Sequence, residues 1–333
     1  MEEKSTLGES SKRRELYLTL LFAIVIVVLG ATMAYQRGVR GPLLAVTLAT
    51  FTLLVMGYCL FGTRLVMDWV RSWLAVDRVK ICLGIVILLI PYLIYAAGTD
   101  TFNRAGALKL LAFLFLPTIV LLTLKPLSPQ LTWQYAVAIL AIWLPFDFRL
   151  LKGIWFGDVT YGFNTLLAVN LALILFVGYC RIEGVGYHFR ANRAIIIKGV
   201  LNLLFFTPIA IGLGLATGFL TWAPQQHSAG TVVLTALLIF LFIALPEELL
   251  FRGLIQNLLT KSLQSEKKAL IITSIIFGAA HLNNADYPRN LIYFLLASIA
   301  GYFYGRAYLA TGALLAGAIT HTLVDTIWHE LFR

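Results

Sequence analysis

Glu247-Glu248-Leu249-Leu250-Phe251-Arg252 sets two adjacent carboxylates and a guanidinium directly behind the apolar run 234–245, in a stretch that otherwise reads as membrane-spanning. An ionisable side chain in such a span is costly, so each of the three is a candidate for function. Glu248 and Arg252 are four residues apart and lie one above the other on a helix face, where they can pair. Glu247 then points about 100° away and is left for other partners. His281 stands in a second apolar run, and His321 and Asp325, four apart, share one face of a third. Residues 1–180 contain no histidine.

These residue types are the parts needed to hydrolyse an amide within a membrane. A carboxylate held near a histidine can take a proton from water. A second histidine with a polar neighbour can donate hydrogen bonds to a developing oxyanion. The set Glu247, His281 and His321 can instead bind a divalent metal such as Zn2+ with an open water position, and the residues alone do not separate the two. A non-enzymatic alternative also stands: a transporter, or a partner-binding or immunity protein, whose buried charges form an ion or proton path.

The spacing ties the first two runs together. Residues 253–259 keep a helical apolar period, so the helix carrying the glutamates is predicted to continue to about Lys261. Polar residues 262–268 make a turn, and a new helix from Ala269 carries His281. Glu247 lies 17 residues before Gln264 and His281 lies 17 after it. In an antiparallel pair rising about 1.5 Å per residue, both arrive at the same depth.

The positioning elements follow from composition. Of 333 residues 60% are hydrophobic and 13% charged, and the mean hydropathy is +0.86, whereas a soluble domain has about a quarter of its residues charged. The prediction is an all-α, polytopic transmembrane helix bundle of about 10–11 spans of roughly 20 residues each. Apolar runs fall near 16–34, 43–62, 81–97, 107–124, 133–146, 165–180, 195–217, 231–250, 269–285, 291–308 and 313–329. The run at 133–146 is short enough for a tilted or re-entrant helix, and the first run is long for a signal peptide and reads as a retained span. The net charge of +10 is scattered between apolar runs, which argues against nucleic-acid binding. With a cytoplasmic N-terminus, most of the 26 Lys and Arg fall on the cytoplasmic side.

The loop 181–194 divides the chain into residues 1–190, about six spans of unknown role, and residues 191–333, where ionisable groups enter the spans. Cys59, Cys82 and Cys180 read as packing residues. Trp69, Trp73, Trp133, Trp155, Trp222 and Trp328 read as interfacial anchors. Gly212, Gly214 and Gly218 read as close helix packing. Asn283 and Asn284 extend the polar pocket or cap a helix, and His188, His227 and His329 are placed outside the site.

Three motifs in order, Glu247-Glu248-Leu249-Leu250-Phe251-Arg252, Phe277-Gly278-Ala279-Ala280-His281 and His321-Thr322-Leu323-Val324-Asp325, resemble the EExxxR, FxxxH and HxxxN signatures of the CAAX-protease and bacteriocin-processing (Abi) family of intramembrane proteases, which includes the type II CAAX prenyl endopeptidases. The resemblance implies an all-helical core over about 195–330, in which Glu247 and His281 activate water. It further implies that His321 with residue 325 holds the oxyanion and that Glu248 with Arg252 orders the site. It implies an integral-membrane endopeptidase, of the bacterial inner membrane, that meets a membrane-associated protein or peptide substrate, lipidated in part of the family, at the lipid bilayer. It leaves open a metal-dependent or a metal-free glutamate mechanism. Residue 325 departs from the signature: an ionised Asp repels an oxyanion, so Asp325 must be protonated, paired with His321 or a metal ligand.

Overall fold

The computed structural model describes residues 2–124 and 127–333, with side chains from residue 9 onward. Its helices are α1 (Glu2–Gln36), α2 (Gly41–Leu60), α3 (Arg64–Leu74), α4 (Arg78–Gly98), α5 (Arg104–Leu122), α6 (Trp133–Asp147) and α7 (Gly157–Tyr179) in the first half. α8 (Arg193–Ala216), α9 (Ala229–Leu263), α10 (Glu266–Ala279), α11 (Arg289–Leu309) and α12 (Leu314–Leu331) complete it. The described residues hold no β-strand, and an isolated bridge joins Trp222 and Phe332. The protein is thus the all-α polytopic bundle its composition predicts.

Seven described helices, α1 from Glu9, α2, α4, α5, α7, α8 and α9, are long and apolar enough to cross a membrane. The remaining predicted runs are helical too, but α6 and α10 are only 15 and 14 residues long. α11 and α12 are diluted by Tyr, Arg, His and Asp, of which the bundle buries Tyr304, Tyr308 and His321. α3 joins α2 to α4 with Met67, Val70 and Leu74 buried on one face and Arg64, Asp68 and Trp69 outward, a short amphipathic helix among polar residues that an apolar-run search passes over.

The chain forms two compact units, Met1–Ser128 with Thr132–Glu183, and Pro129–Leu131 with Gly184–Arg333. In the first, α7 is the most buried crossing helix. Its Asn170 donates to the Leu54 carbonyl at 3.0 Å, and Asn164 accepts from the Trp155 indole at 2.7 Å. Trp155 is therefore interior rather than an interfacial anchor, because its single donor finds a buried partner. Trp69, Trp133 and Trp222 are exposed, as anchors would be. Asp77 caps α4 and is held below the usual carboxylate range by the Lys80 and Val79 amides it accepts from. Cys59 and Cys180 are buried and unpaired as thiols.

In the second unit, Asn192, Ser228 and Ser265 cap the starts of α8, α9 and α10 by accepting from amides three residues on. α9 runs 35 residues, about 52 Å at 1.5 Å per residue, so it is longer than the roughly 30 Å hydrocarbon core. The glutamates sit near its middle. Gln264 turns the chain in a left-handed conformation at φ 49°, and α10 returns alongside. Gly214 makes a close contact in α8, its missing Cβ space being filled by Leu220, whereas nothing lies within 4 Å of a Cβ at Gly212 or Gly218. Close packing thus explains Gly214, while Gly218 supplies the positive φ of 67° that ends the helix.

Candidate active site

Pro246 has no N–H to donate, so α9 cannot keep regular hydrogen bonds through it. The helix passes the proline by a π-helical stretch, Phe240–Ala244, closed by the Leu245 N–H on the Phe240 carbonyl. A regular turn, Leu245–Glu248, carries both carboxylates, and a second π stretch, Leu249–Gln256, follows. Wide turns of this kind recur at functional sites.

Glu248 and Arg252 are both fully buried, at 0% side-chain exposure. Arg252 Nη1 donates to Glu248 Oε1 at 3.0 Å, Nη2 donates to the Gly301 carbonyl at 2.9 Å, and the guanidinium lies 4.5 Å from the Phe277 ring centroid. Two glycines admit this pair. A Cβ at Gly301 would press on Phe277 and Arg252 Nη2, and one at Gly317 would overlap Glu248 Oε2 and sit 3.1 Å from the Tyr304 carbonyl. Replacing Gly317 by Ala is therefore expected to destabilise the protein by about 1–3 kcal/mol, read as a fall in the thermal midpoint in detergent. Gly212→Ala, with open space around it, is expected to be neutral or slightly stabilising. Equal midpoints for the two variants would refute the cradle.

His321 connects the buried pair to the two partly exposed acids. Its Nδ1 meets Glu248 Oε1 at 3.2 Å. Its Nε2 faces Asp325 Oδ2 at 3.5 Å and Glu247 Oε2 at 3.9 Å. Tyr304 stacks on its ring at 4.6 Å and 18°, and Phe277 meets it edge-on at 5.9 Å. Of the three states open to Asp325, the arrangement is pairing with His321. Glu247 and Asp325 keep 32% and 26% of their side-chain surface exposed, so they form the accessible rim above a closed floor.

α10 ends at Ala279, short of the predicted 285, and His281 lies in the turn beyond it, its N–H on the Gly278 carbonyl at 2.9 Å. The early end leaves the last helical carbonyls without helical donors, and His281 Nδ1 bonds that of Phe277 at 2.8 Å. A carbonyl only accepts, so Nδ1 carries the hydrogen and Nε2 the lone pair. The ring is held between Phe277 at 4.7 Å and Tyr293 at 5.2 Å. Glu247 lies within electrostatic reach of His281, His321, Asp325 and Glu248.

All six residues singled out in the sequence, Glu247, Glu248, Arg252, His281, His321 and Asp325, thus meet in one place. Among the described residues no group of three or more His, Cys, Asp or Glu side chains is arranged to hold a metal ion. Of the proposed ligands Glu247, His281 and His321, the two histidines have Nδ1 engaged, by the Phe277 carbonyl and by Glu248, so the nitrogen each could offer a metal is Nε2.

His227 pairs with Glu330 at 3.0 Å and His188 Nδ1 accepts from the Arg190 amide, neither within the site. Trp328 packs on Tyr293 at 5.5 Å and on Phe219 at 5.4 Å, which makes it a wall of the site rather than an anchor. Sequence reasoning passed over Tyr293, Tyr304, Gly301 and Gly317. One signal was present: Ala297, Gly301 and Gly305 recur every four residues along α11, a stripe that lets a neighbouring helix approach closely.

Residues 229–327 match the family described as type II CAAX prenyl endopeptidase, Rce1-like. The matched segment runs from the start of α9 to near the end of α12 and contains all six residues. No curated protein and no solved structure matches the chain.

Proposed function

We propose that the protein is an integral-membrane endopeptidase that hydrolyses a peptide bond of a prenylated, membrane-associated CAAX-type chain by Glu/His activation of water. The observation that carries this reading is the division of labour among the acids. Glu248 is sealed in with Arg252, whereas Glu247 is partly exposed, 3.9 Å from His321 Nε2 and within electrostatic reach of His281.

Glu247 takes a proton from the water while His281 Nε2, the nitrogen left free by the Phe277 carbonyl, accepts its other O–H and holds it. The water oxygen bonds to the amide carbon, and the carbonyl oxygen takes the electron pair, facing His321 Nε2. Collapse of that intermediate breaks the C–N bond, and the proton on Glu247 passes to the departing nitrogen. Glu248, Arg252 and Tyr304 touch no reacting atom; they fix the His321 ring.

The test is cleavage of a farnesylated CAAX peptide, labelled on both sides of the scissile bond, by the full chain in proteoliposomes. Cleavage is expected, and it is expected to survive exhaustive chelation. No cleavage by the native protein would overturn the assigned substrate. Proton or ion flux through the same vesicles without peptide cleavage would favour a transport path. Activity lost on chelation and restored by zinc would overturn the metal-free step.

A further inference from the structure

We infer that Tyr293 is a further catalytic residue, whose phenolic hydrogen is donated to the carbonyl oxygen of the scissile amide in place of the donor that Asp325 does not supply. The inference rests on the endopeptidase reading above.

The oxyanion side of the site is short of donors. Asp325 and Glu247 flank His321 Nε2 at 3.5 and 3.9 Å, and an ionised carboxylate only accepts. One imidazole N–H would then have to hold a developing negative charge beside two acids. Neighbouring donors are otherwise committed. Arg289 is turned onto Phe219, donating to its carbonyl at 2.9 Å and lying 5.0 Å from its ring centroid. Tyr304 lies flat against the His321 ring, and Arg252 is spent on Glu248 and Gly301.

Tyr293 has both the place and the free hydrogen. It stands one turn into α11, with its ring 5.2 Å from His281, 5.3 Å from Phe219 and 5.5 Å from Trp328, so it is held on three sides. Its ring borders His281, and its hydroxyl lies within reach of the Asn284 side chain and within electrostatic reach of both Asp325 and Glu247, so it lines the same space as the rim acids. The Asn284 amide can donate to the phenolic oxygen, which leaves the phenolic hydrogen for the substrate. No net proton moves: the hydroxyl donates to the oxyanion while it exists and is returned unchanged when the C–N bond breaks.

Tyr293→Phe keeps the ring and its packing and removes only the hydroxyl. In the proteoliposome assay with the farnesylated peptide, it is expected to lower kcat by about 10²–10³-fold, as for loss of one oxyanion donor, with KM and thermal midpoint unchanged. Adding Asp325→Asn to Tyr293→Phe supplies an amide N–H at the rim and is expected to recover at least tenfold of the lost kcat. A purely packing role for Tyr293 predicts neither the kcat-only loss nor the recovery. If Glu247→Gln is inactive while Tyr293→Phe turns over within twofold of native, this inference falls and the endopeptidase reading stands. A Glu247→Gln protein that still cleaves would remove both.

Discussion

Glu247→Gln is expected to remove proteolysis, lowering kcat by about 10²–10⁴-fold, while leaving the thermal midpoint close to native. The two halves of this expectation come from different observations. The activity half follows from position: Glu247 is a partly exposed carboxylate 3.9 Å from His321 and within electrostatic reach of His281. The stability half follows from what Glu247 does not do. It is not in the sealed pair with Arg252, its nearest charged partner is 3.9 Å away, and Gln keeps its volume. Measuring turnover and midpoint on one preparation separates the two. A variant that cleaves at the native rate would end the proposed mechanism. A variant that is inactive only because it unfolds would reassign Glu247 to the scaffold.

The opposite pattern is expected five residues on. Arg252→Met should cost about 3–5 kcal/mol, because it strands the fully buried Glu248 carboxylate without its partner and takes the Nη2 donor from the Gly301 carbonyl. Arg252→Lys should not rescue it, since one ammonium cannot copy a planar fork that reaches Glu248 and Gly301 together. The combined Glu248→Gln, Arg252→Met protein should regain most of the lost stability, because no charge is then left unpaired. It should remain slow, because His321 has lost the carboxylate that fixes its Nδ1. Thermal unfolding in detergent reads the first three outcomes and turnover the last. An Arg252→Met protein as stable as native would show that the buried pair does not hold the site together.

The sequence carried much of this and missed the rest for identifiable reasons. The ionisable residues were legible because charge in an apolar run is rare, and the i, i+4 spacing of Glu248 with Arg252 and of His321 with Asp325 survives in the structure as direct contacts. The turn at Gln264 was legible because a polar stretch must interrupt two apolar helices. The end of α10 was not, because Ala280 and Leu282 continue the apolar pattern while the His281 side chain competes for the helix's own last carbonyls. Tyr293 and Tyr304 were invisible because an aromatic residue in an apolar span looks the same whether it faces lipid or a histidine. Trp155 and Trp328 were misplaced on the same ground, since proximity to a span end does not reveal which side of the helix is buried. α3 was missed because its apolar face is only three residues wide.

The two π stretches of α9 have a consequence for how this helix can change over time. Each encloses one more residue per turn than a regular helix does, so each is the form in which α9 can absorb a single-codon insertion. Taking one residue out of 240–244 would narrow that turn and leave the residues before it close to their present bearing, while Pro246 would still withhold its hydrogen bond. The pairing of Glu248 with Arg252 lies beyond that point and would keep its geometry. The wide turns thereby let α9 gain or lose a residue while the surface it offers before Leu245 and the bearing of the two carboxylates beyond it are both kept.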